Sequence, residues 1–132
     1  MTLQRQYTIG ELYSMADQCS HDYPVTLSQK IEYLTEIQIL LGRKAADAVR
    51  DYKRKYAERK RVYAETYLSF TKDKAQNAEL AVANLRLEEA ELEADKVRWN
   101  NAFVSNGELI NALKYSLKVL LAEYSNTANA TR

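Results

Sequence analysis

The sequence predicts an all-α protein built as a long antiparallel helical hairpin, like a coiled coil, with a short helix before it. Only three Gly and one Pro occur in 132 residues, so the chain has few of the residues that form turns. Apolar residues recur every three or four positions along two long segments, which is the helical period. We therefore expect a single helical domain over residues 1–132.

The first helix is predicted over residues 8–19. Thr8 and Glu11 have the spacing of a capping box, in which each side chain accepts a hydrogen bond from the other residue's backbone amide. Pro24 disfavours the helical conformation at Tyr23, so the helix is expected to end before it.

The second helix is predicted over residues 26–70, where Thr26 and Gln29 have the spacing of another capping box and no proline follows. Four tyrosines within it are spaced 4, 7 and 4 residues apart and therefore share one helical face. We interpret them mainly as packing residues whose hydroxyls reach the wet edge of the hairpin. They are Tyr52, Tyr56, Tyr63 and Tyr67.

The third helix is predicted over residues 74–124, with Asp73 as its N-cap and a frayed tail over 125–132. Its apolar stripe follows a 3–4 register and is interrupted by Glu89, Lys96 and Asn106. The register continues through the segment 105–107, so a continuous or mildly kinked helix is expected there. The stripe, expected to form the helix seam or an oligomer contact, includes Leu85, Leu92, Trp99, Phe103, Ile110 and Leu117.

A short turn near residue 73 would place side by side residues whose numbers sum to about 146. Residues 50–61 carry seven basic and two acidic side chains, and their expected neighbours 85–96 carry five acidic and two basic ones. Charge pairing across the hairpin is the main interpretation, and contact with nucleic acid or a protein partner remains open. The basic residues are Arg50, Lys53, Arg54, Lys55, Arg59, Lys60 and Arg61.

Two interrupting residues have candidate partners in this pairing. Glu89 lies level with Arg59, and Lys96 lies level with Arg50 and Asp51. Both could form pairs at the helix seam, or both could extend to solvent.

The chain's apolar surface widens toward the open end of the hairpin. Either the first helix or another subunit is expected to cover that end, so a homo-oligomer is predicted, with a dimer favoured. The residues that widen it are Ile37, Ile39, Leu40, Val97, Ile110 and Leu121.

The composition limits the class of function. Lys and Arg number 19 against 18 Asp and Glu, which argues against a general polyanion binder. No run of about 18 apolar residues occurs, and residues 1–5 lack the apolar core of a signal peptide. Cys19 is the single cysteine, so no intramolecular disulfide can form. We expect a cytoplasmic protein without a membrane span.

Few residues are suited to catalysis. Cys19 and His21 are the only cysteine and histidine, too few to complete a zinc site. No glycine-rich phosphate loop occurs. The sequence therefore predicts a protein that is not an enzyme, with no catalytic residue, no metal site and no cofactor.

Residues 45–124 carry a basic arm rich in Tyr and Ala ("AADAVRDYKRKYAERKRVYAETYLS"), an arm rich in Leu and Glu ("NAELAVANLRLEEAELEADKVRWNNAF") and a Leu-rich end ("LINALKYSLKVLLAEY"). This pattern resembles small helical proteins of tailed phages, often encoded near recombination or single-strand-binding genes. The resemblance implies a phage accessory protein in the cytoplasm of an infected bacterium. It would bind replication or recombination machinery, or inhibit a host nuclease or defence complex. The alternatives are direct binding of single-stranded nucleic acid along the basic arm and a structural coiled-coil adaptor.

Overall fold

The computed structural model describes residues 6–130, which form three α-helices and no strand. They are α1 (Ile9–Asp17), α2 (Pro24–Ser69) and α3 (Lys74–Ala130). The helices α2 and α3 pack against each other as a helical hairpin, which confirms the predicted fold class. Residues 1–5, on which the signal-peptide prediction depends, lie outside the described part.

The predicted capping box opens α1. Thr8 Oγ1 accepts a hydrogen bond from the Glu11 amide at 3.1 Å, and Glu11 Oε1 accepts one from the Thr8 amide at 3.3 Å. The helix ends at Asp17, two residues before the predicted end, and the Cys19 amide then donates to the Ala16 carbonyl at 3.1 Å.

The capping box predicted at Thr26 is wrong, because α2 begins two residues earlier at Pro24. Proline suits the first helical position, since its φ is already helical and the amide it lacks would have no partner there. The Leu27 amide donates to the Tyr23 carbonyl at 3.0 Å. Thr26 Oγ1 instead donates to the carbonyls of Ser20 at 2.6 Å and Tyr23 at 3.1 Å.

The turn between the long helices covers residues 70–73, because α2 ends at Ser69 and α3 starts at the predicted Lys74. Asp73 has a φ of 51°, in the left-handed region that Asp tolerates better than most residues. Its carbonyl accepts from the Asn77 amide at 2.9 Å.

The helix α3 runs without a break through residues 105–107, as the unbroken apolar register predicts. The predicted helix end at residue 124 is wrong, because α3 continues to Ala130. No Gly or Pro lies in residues 125–130, and Thr127 Oγ1 donates to the Glu123 carbonyl at 2.9 Å. Residues 131–132 lie outside the described part.

The structure divides into two compact units. Unit 1 contains the chain up to Gly42 and from Ala102 onward, so α1 packs there with the start of α2 and the end of α3. Its buried apolar side chains include Leu12, Ala16, Leu27, Ile31, Leu34, Ile37, Leu41, Ile110 and Leu113.

Unit 2 spans Arg43–Asn101 and contains the remaining parts of α2 and α3, which meet at the turn. Its buried apolar side chains are Ala48, Ala78 and Val82. Two helices in contact can bury only one stripe each, so most of its apolar residues are half-buried or exposed.

Candidate interaction surface on the second helix

Unit 1 contains a buried polar network centred on Asn106, which is 3 % exposed. Asn106 Nδ2 donates to the Leu34 carbonyl at 3.0 Å and to Gln38 Oε1 at 2.9 Å. Asn106 Oδ1 accepts from the Tyr13 hydroxyl at 3.0 Å, and burial raises the pKa of that tyrosine. One side chain thus links α1, α2 and α3, so this interruption of the apolar register fixes how the three helices meet.

Gly107 makes room for this network. A Cβ at residue 107 would lie 3.0 Å from Gln38 Nε2, which donates to the Phe103 carbonyl at 3.1 Å. Gly42 has a similar role toward a ring, since a Cβ there would lie 3.3 Å from Phe103 Cε2. Both glycines therefore permit close packing of α2 against α3 within unit 1.

In unit 2, two basic residues of α2 pair with acids of α3. The Arg59 guanidinium bonds to both carboxylate oxygens of Glu89, and the two side chains are only 17 % and 13 % exposed. Lys55 Nζ lies 2.9 Å from a Glu88 carboxylate oxygen and 3.1 Å from one of Glu58. These hydrogen bonds raise the pKa of both Arg59 and Lys55.

Of the two outcomes left open for Glu89, these contacts show the pair with Arg59. The residue numbers of both cross-helix pairs add to within three of the predicted sum. Of the alternatives left open for Lys96, the pair with Asp51 does not form: Lys96 Nζ lies 4.4 Å from the centre of the Tyr52 ring, and Asp51 pairs with Arg50 at 3.6 Å.

The four predicted tyrosines differ in exposure. Tyr52 and Tyr63 are half-buried, whereas Tyr56 and Tyr67 are 37 % and 40 % exposed. The rings form two neighbouring pairs, with centres 6.5 Å apart for Tyr52–Tyr56 and 6.3 Å apart for Tyr63–Tyr67.

Cations already contact the two exposed rings. Arg59 and Lys60 lie 5.3 and 4.7 Å from the centre of the Tyr56 ring, and Lys74 lies 5.5 Å from that of Tyr67. Their surroundings are therefore partly occupied by other side chains of the same unit.

The predicted stripe of α3 faces α2 to different depths. Ile110 is buried, and Trp99 is half-buried with Lys44 Nζ 5.8 Å from its ring centre. The other half-buried members are Leu85, Leu92, Phe103 and Leu117.

The remaining cations of the basic segment form an exposed surface on α2. Arg43, Arg50, Arg54 and Arg61 are spaced 7, 4 and 7 residues apart, which places them on one helical face. We call this face, together with the residues at its edge, the cationic stripe. Its members are all exposed: Arg43, Arg50, Lys53, Arg54, Lys60 and Arg61.

The members of the cationic stripe differ in their partners. Arg50 pairs with Asp47 at 3.3 Å, and Arg61 pairs with Glu65 at 3.1 Å. Within residues 6–130, no carboxylate pairs with Arg43, Lys53, Arg54 or Lys60. These four cations are available to an external anion.

A cavity of about 300 Å³ lies beside the stripe, lined by Arg59, Lys60, Tyr63, Glu79 and Arg86. Arg86 lies 3.0 Å from a Glu79 carboxylate oxygen and Arg59 bonds to Glu89, so its arginines already have anionic partners. Among the described residues, no cluster of three or more His, Cys, Asp or Glu side chains could hold a metal ion.

The fold is an all-α helical hairpin, and none of its described helices has the length and apolarity needed to cross a membrane. Comparison with protein families, curated proteins and solved structures gives no match to this chain.

Proposed function

We propose that this chain is a non-catalytic binding protein that attaches, through its cationic stripe, to an acidic surface of another protein. The observation that carries this proposal is the set of exposed cations on α2 without a carboxylate partner in the described residues: Arg43, Lys53, Arg54 and Lys60. Their neighbours Lys55 and Arg59 pair with α3, so the hairpin leaves this outward charge unneutralised.

The surroundings of the stripe favour a protein over a nucleic acid. Asp47, Asp51 and Glu65 lie among its cations and would repel a phosphate backbone that tracks the helix. Base stacking needs free aromatic faces, but cations and neighbouring rings already contact Tyr56 and Tyr67. A protein surface can match such a pattern of mixed charge residue by residue.

The resemblance of the sequence to tailed-phage proteins supports a partner in the bacterial cytoplasm. The partner would then be part of the replication or recombination machinery, or a host nuclease or defence complex that the chain inhibits.

The test is affinity capture from bacterial lysate with a stripe variant that reverses three cations without a carboxylate partner in the described residues: Lys53→Glu, Arg54→Glu and Lys60→Glu. A matched control makes the same change in net charge in unit 1, at Lys30, Lys114 and Lys118. Circular dichroism checks that each variant remains helical. We expect the wild type and the control to capture the same protein and the stripe variant to lose it.

Two further measurements separate protein from nucleic acid. Nuclease treatment should leave the captured protein in place, and rising salt should release it because the contact is ionic. Two results would replace this proposal with direct nucleic-acid binding. One is capture that is lost after nuclease treatment, and the other is salt-dependent binding of a single-stranded oligonucleotide that only the stripe variant loses. Equal capture by wild type and stripe variant would overturn the proposed surface.

A further inference from the structure

A second apolar stripe runs along the outward side of α3 in unit 2. Its six positions alternate by three and four residues, and every one of them is exposed. We call it the outer heptad face: Leu80, Ala83, Leu87, Ala90, Ala94 and Val97. Leu80 and Leu87 are 70 % and 67 % exposed, although both are large apolar side chains.

This stripe is separate from the one that packs against α2. The inner stripe passes through Ala78, Val82, Leu85 and Leu92, which are buried or half-buried. A helix with one apolar stripe needs one neighbour, and a helix with two needs a second. The described residues supply only α2 as the neighbour of this part of α3, so the outer heptad face has no partner within unit 2.

The charges beside the face identify its occupant. Each heptad of the face begins with a core position, here Leu80, Leu87 or Ala94. In a parallel coiled coil, the residue just before such a position lies near the residue of the other helix whose number is five higher. Applied to two copies of this helix, the rule brings Arg86 of one to Glu91 of the other. It also brings Glu93 of one to Arg98 of the other, and symmetry repeats both attractive pairs.

No flanking pair in this arrangement is repulsive, since the remaining one brings Glu79 to the neutral Asn84. An antiparallel arrangement leaves fewer attractive pairs, because it matches Arg86 with Glu93 but places Arg98 and Glu91 beside asparagines. The charge pattern is therefore self-complementary, and most completely so with the two helices parallel and in register.

The single-copy contacts do not prevent this pairing. Arg86 holds Glu79 at 3.0 Å and Arg98 holds Asp95 at 3.1 Å, but the four side chains are between 42 % and 69 % exposed. Ion pairs at such exposure add little to stability, so their exchange for partners on another copy costs little.

We propose that the outer heptad face is a homodimer contact, formed by two copies of α3 packed parallel and in register. The six positions fill only three heptads, the lower limit for a coiled coil, and three of them are alanines, so the association is weak and depends on concentration. It leaves the cationic stripe on α2 free, and it stands independently of the proposed function.

The first test is sedimentation equilibrium over about a hundredfold range of concentration. The wild type should shift from monomer to dimer, and Leu87→Ser should raise the dissociation constant at least about tenfold by removing a central apolar layer. Leu68→Ser is the matched control, because Leu68 is 78 % exposed, more than Leu87, but lies on α2. A monomer at all concentrations, or equal effects of both changes, overturns the proposal.

Charge exchange tests the pairing itself. Arg86→Glu should weaken the dimer by placing two acids together, and adding Glu91→Arg to the same chain should restore it. A double variant no tighter than Arg86→Glu alone would contradict the proposed flanking pairs.

Cross-linking tests the direction of the helices in a Cys19→Ser background. Val97→Cys should form a disulfide between copies, because a parallel in-register pair brings residue 97 of each chain together. In an antiparallel pair these residues are roughly 25 Å apart at 1.5 Å per residue. Failure of Val97→Cys to cross-link, with cross-linking only when it is mixed with Leu80→Cys, would overturn the parallel arrangement.

Discussion

Units 1 and 2 are both built from α2 and α3, yet they differ in what stabilises them. Unit 1 adds α1, and its described residues bury nine apolar side chains, whereas unit 2 buries three, two of which are alanines. Unit 2 relies instead on the pairs Arg59–Glu89 and Lys55–Glu88 and on tyrosines contacted by cations. A third helix thus creates a core, and a lone helix pair depends on contacts that define register more than they add stability.

The two units also differ in charge. The described part of unit 1 carries three basic and seven acidic side chains, whereas unit 2 carries fourteen basic and eleven acidic ones. The near-neutral total therefore conceals an acidic core-rich unit and a basic unit that holds both proposed interaction surfaces.

The largest test of this contrast compares two leucines. Leu34→Ala in unit 1 should reduce the free energy of unfolding by about 2–5 kcal/mol, because Leu34 is 1 % exposed and its removal leaves a cavity. Leu92→Ala in unit 2 should cost about 1 kcal/mol, since Leu92 is only half-buried. Urea unfolding followed by circular dichroism measures both, and equal losses would contradict the difference between the units.

The polar network gives the next largest expected effect. Asn106→Ala should cost about 2–3 kcal/mol, because it leaves the Tyr13 hydroxyl and the Gln38 side chain without their buried partner. Asn111→Ala, at an exposed position of the same helix, is the control and should be nearly neutral. Urea unfolding measures the free energy of unfolding of both variants. A loss below about 0.5 kcal/mol for Asn106→Ala would show that the network does not stabilise unit 1.

Double-mutant cycles compare the two ion pairs of unit 2. We expect a coupling energy of about 1–2 kcal/mol for Arg59 with Glu89, whose side chains are mostly shielded from solvent. The coupling of Lys55 with Glu88 should be smaller than that of Arg59 with Glu89, because Glu88 is exposed. Thermal unfolding of the single and double alanine variants measures both, and a reversed order would contradict the role of burial.

Two helical glycines provide a smaller and more local comparison. Gly10→Ala should stabilise the protein by about 0.5–1 kcal/mol, because the new methyl group meets nothing closer than 4.0 Å. Gly107→Ala should lack this gain, since its methyl group would displace the Gln38 amide from the Phe103 carbonyl. Melting temperatures of the two variants test this, and an equal rise for both would mean that Gln38 moves without cost.

The smallest expected effect is an alkaline loss of stability from Tyr13. Burial raises its folded pKa above the ordinary value of 10.0, so the folded state keeps its proton at a pH where the unfolded chain has lost it. Its contribution is complete below pH 10 and is lost as pH rises from there through the folded pKa. The hydrogen bonds of Lys55 to Glu88 and Glu58 raise its pKa, so its contribution to stability is also lost as the pH rises.

Unfolding free energies across this alkaline range should fall less steeply for Tyr13→Phe than for the wild type. Tyr115→Phe, at an exposed ring, should retain the wild-type slope. Identical slopes for all three proteins would exclude a titrating role of Tyr13.

The sequence predicts much of unit 2 because its determinants are local. Helical period and the position of the turn set the register, and opposite charges at matching distances from residue 73 then make Arg59 a candidate partner of Glu89, which the structure shows. The network of unit 1 is not predictable in this way. The partner of Asn106 on α1 is Tyr13, 93 residues away, and no periodicity within one helix encodes how α1 docks.

The errors at helix ends have a similar origin. Thr26 and Gln29 satisfy a capping pattern, but Pro24 is an equally valid first residue and lengthens α2 by two residues. The tail is rich in small polar residues, yet it continues α3 because it contains no helix breaker. Where two local signals compete, the surrounding structure decides between them.

The four-residue turn at 70–73 has a kinetic consequence. Contacts of unit 2 join residues about 30 apart in the chain, such as Arg59 and Glu89, whereas Asn106 meets Leu34 across 72 residues. If the hairpin closes from the turn, formation of unit 2 shortens the loop that the contacts of unit 1 must close. The entropic cost of closing that loop then falls by roughly 1.4 kcal/mol. The unit with the smaller core is therefore the one whose mutations should slow folding, while mutations in the larger core should mainly speed unfolding.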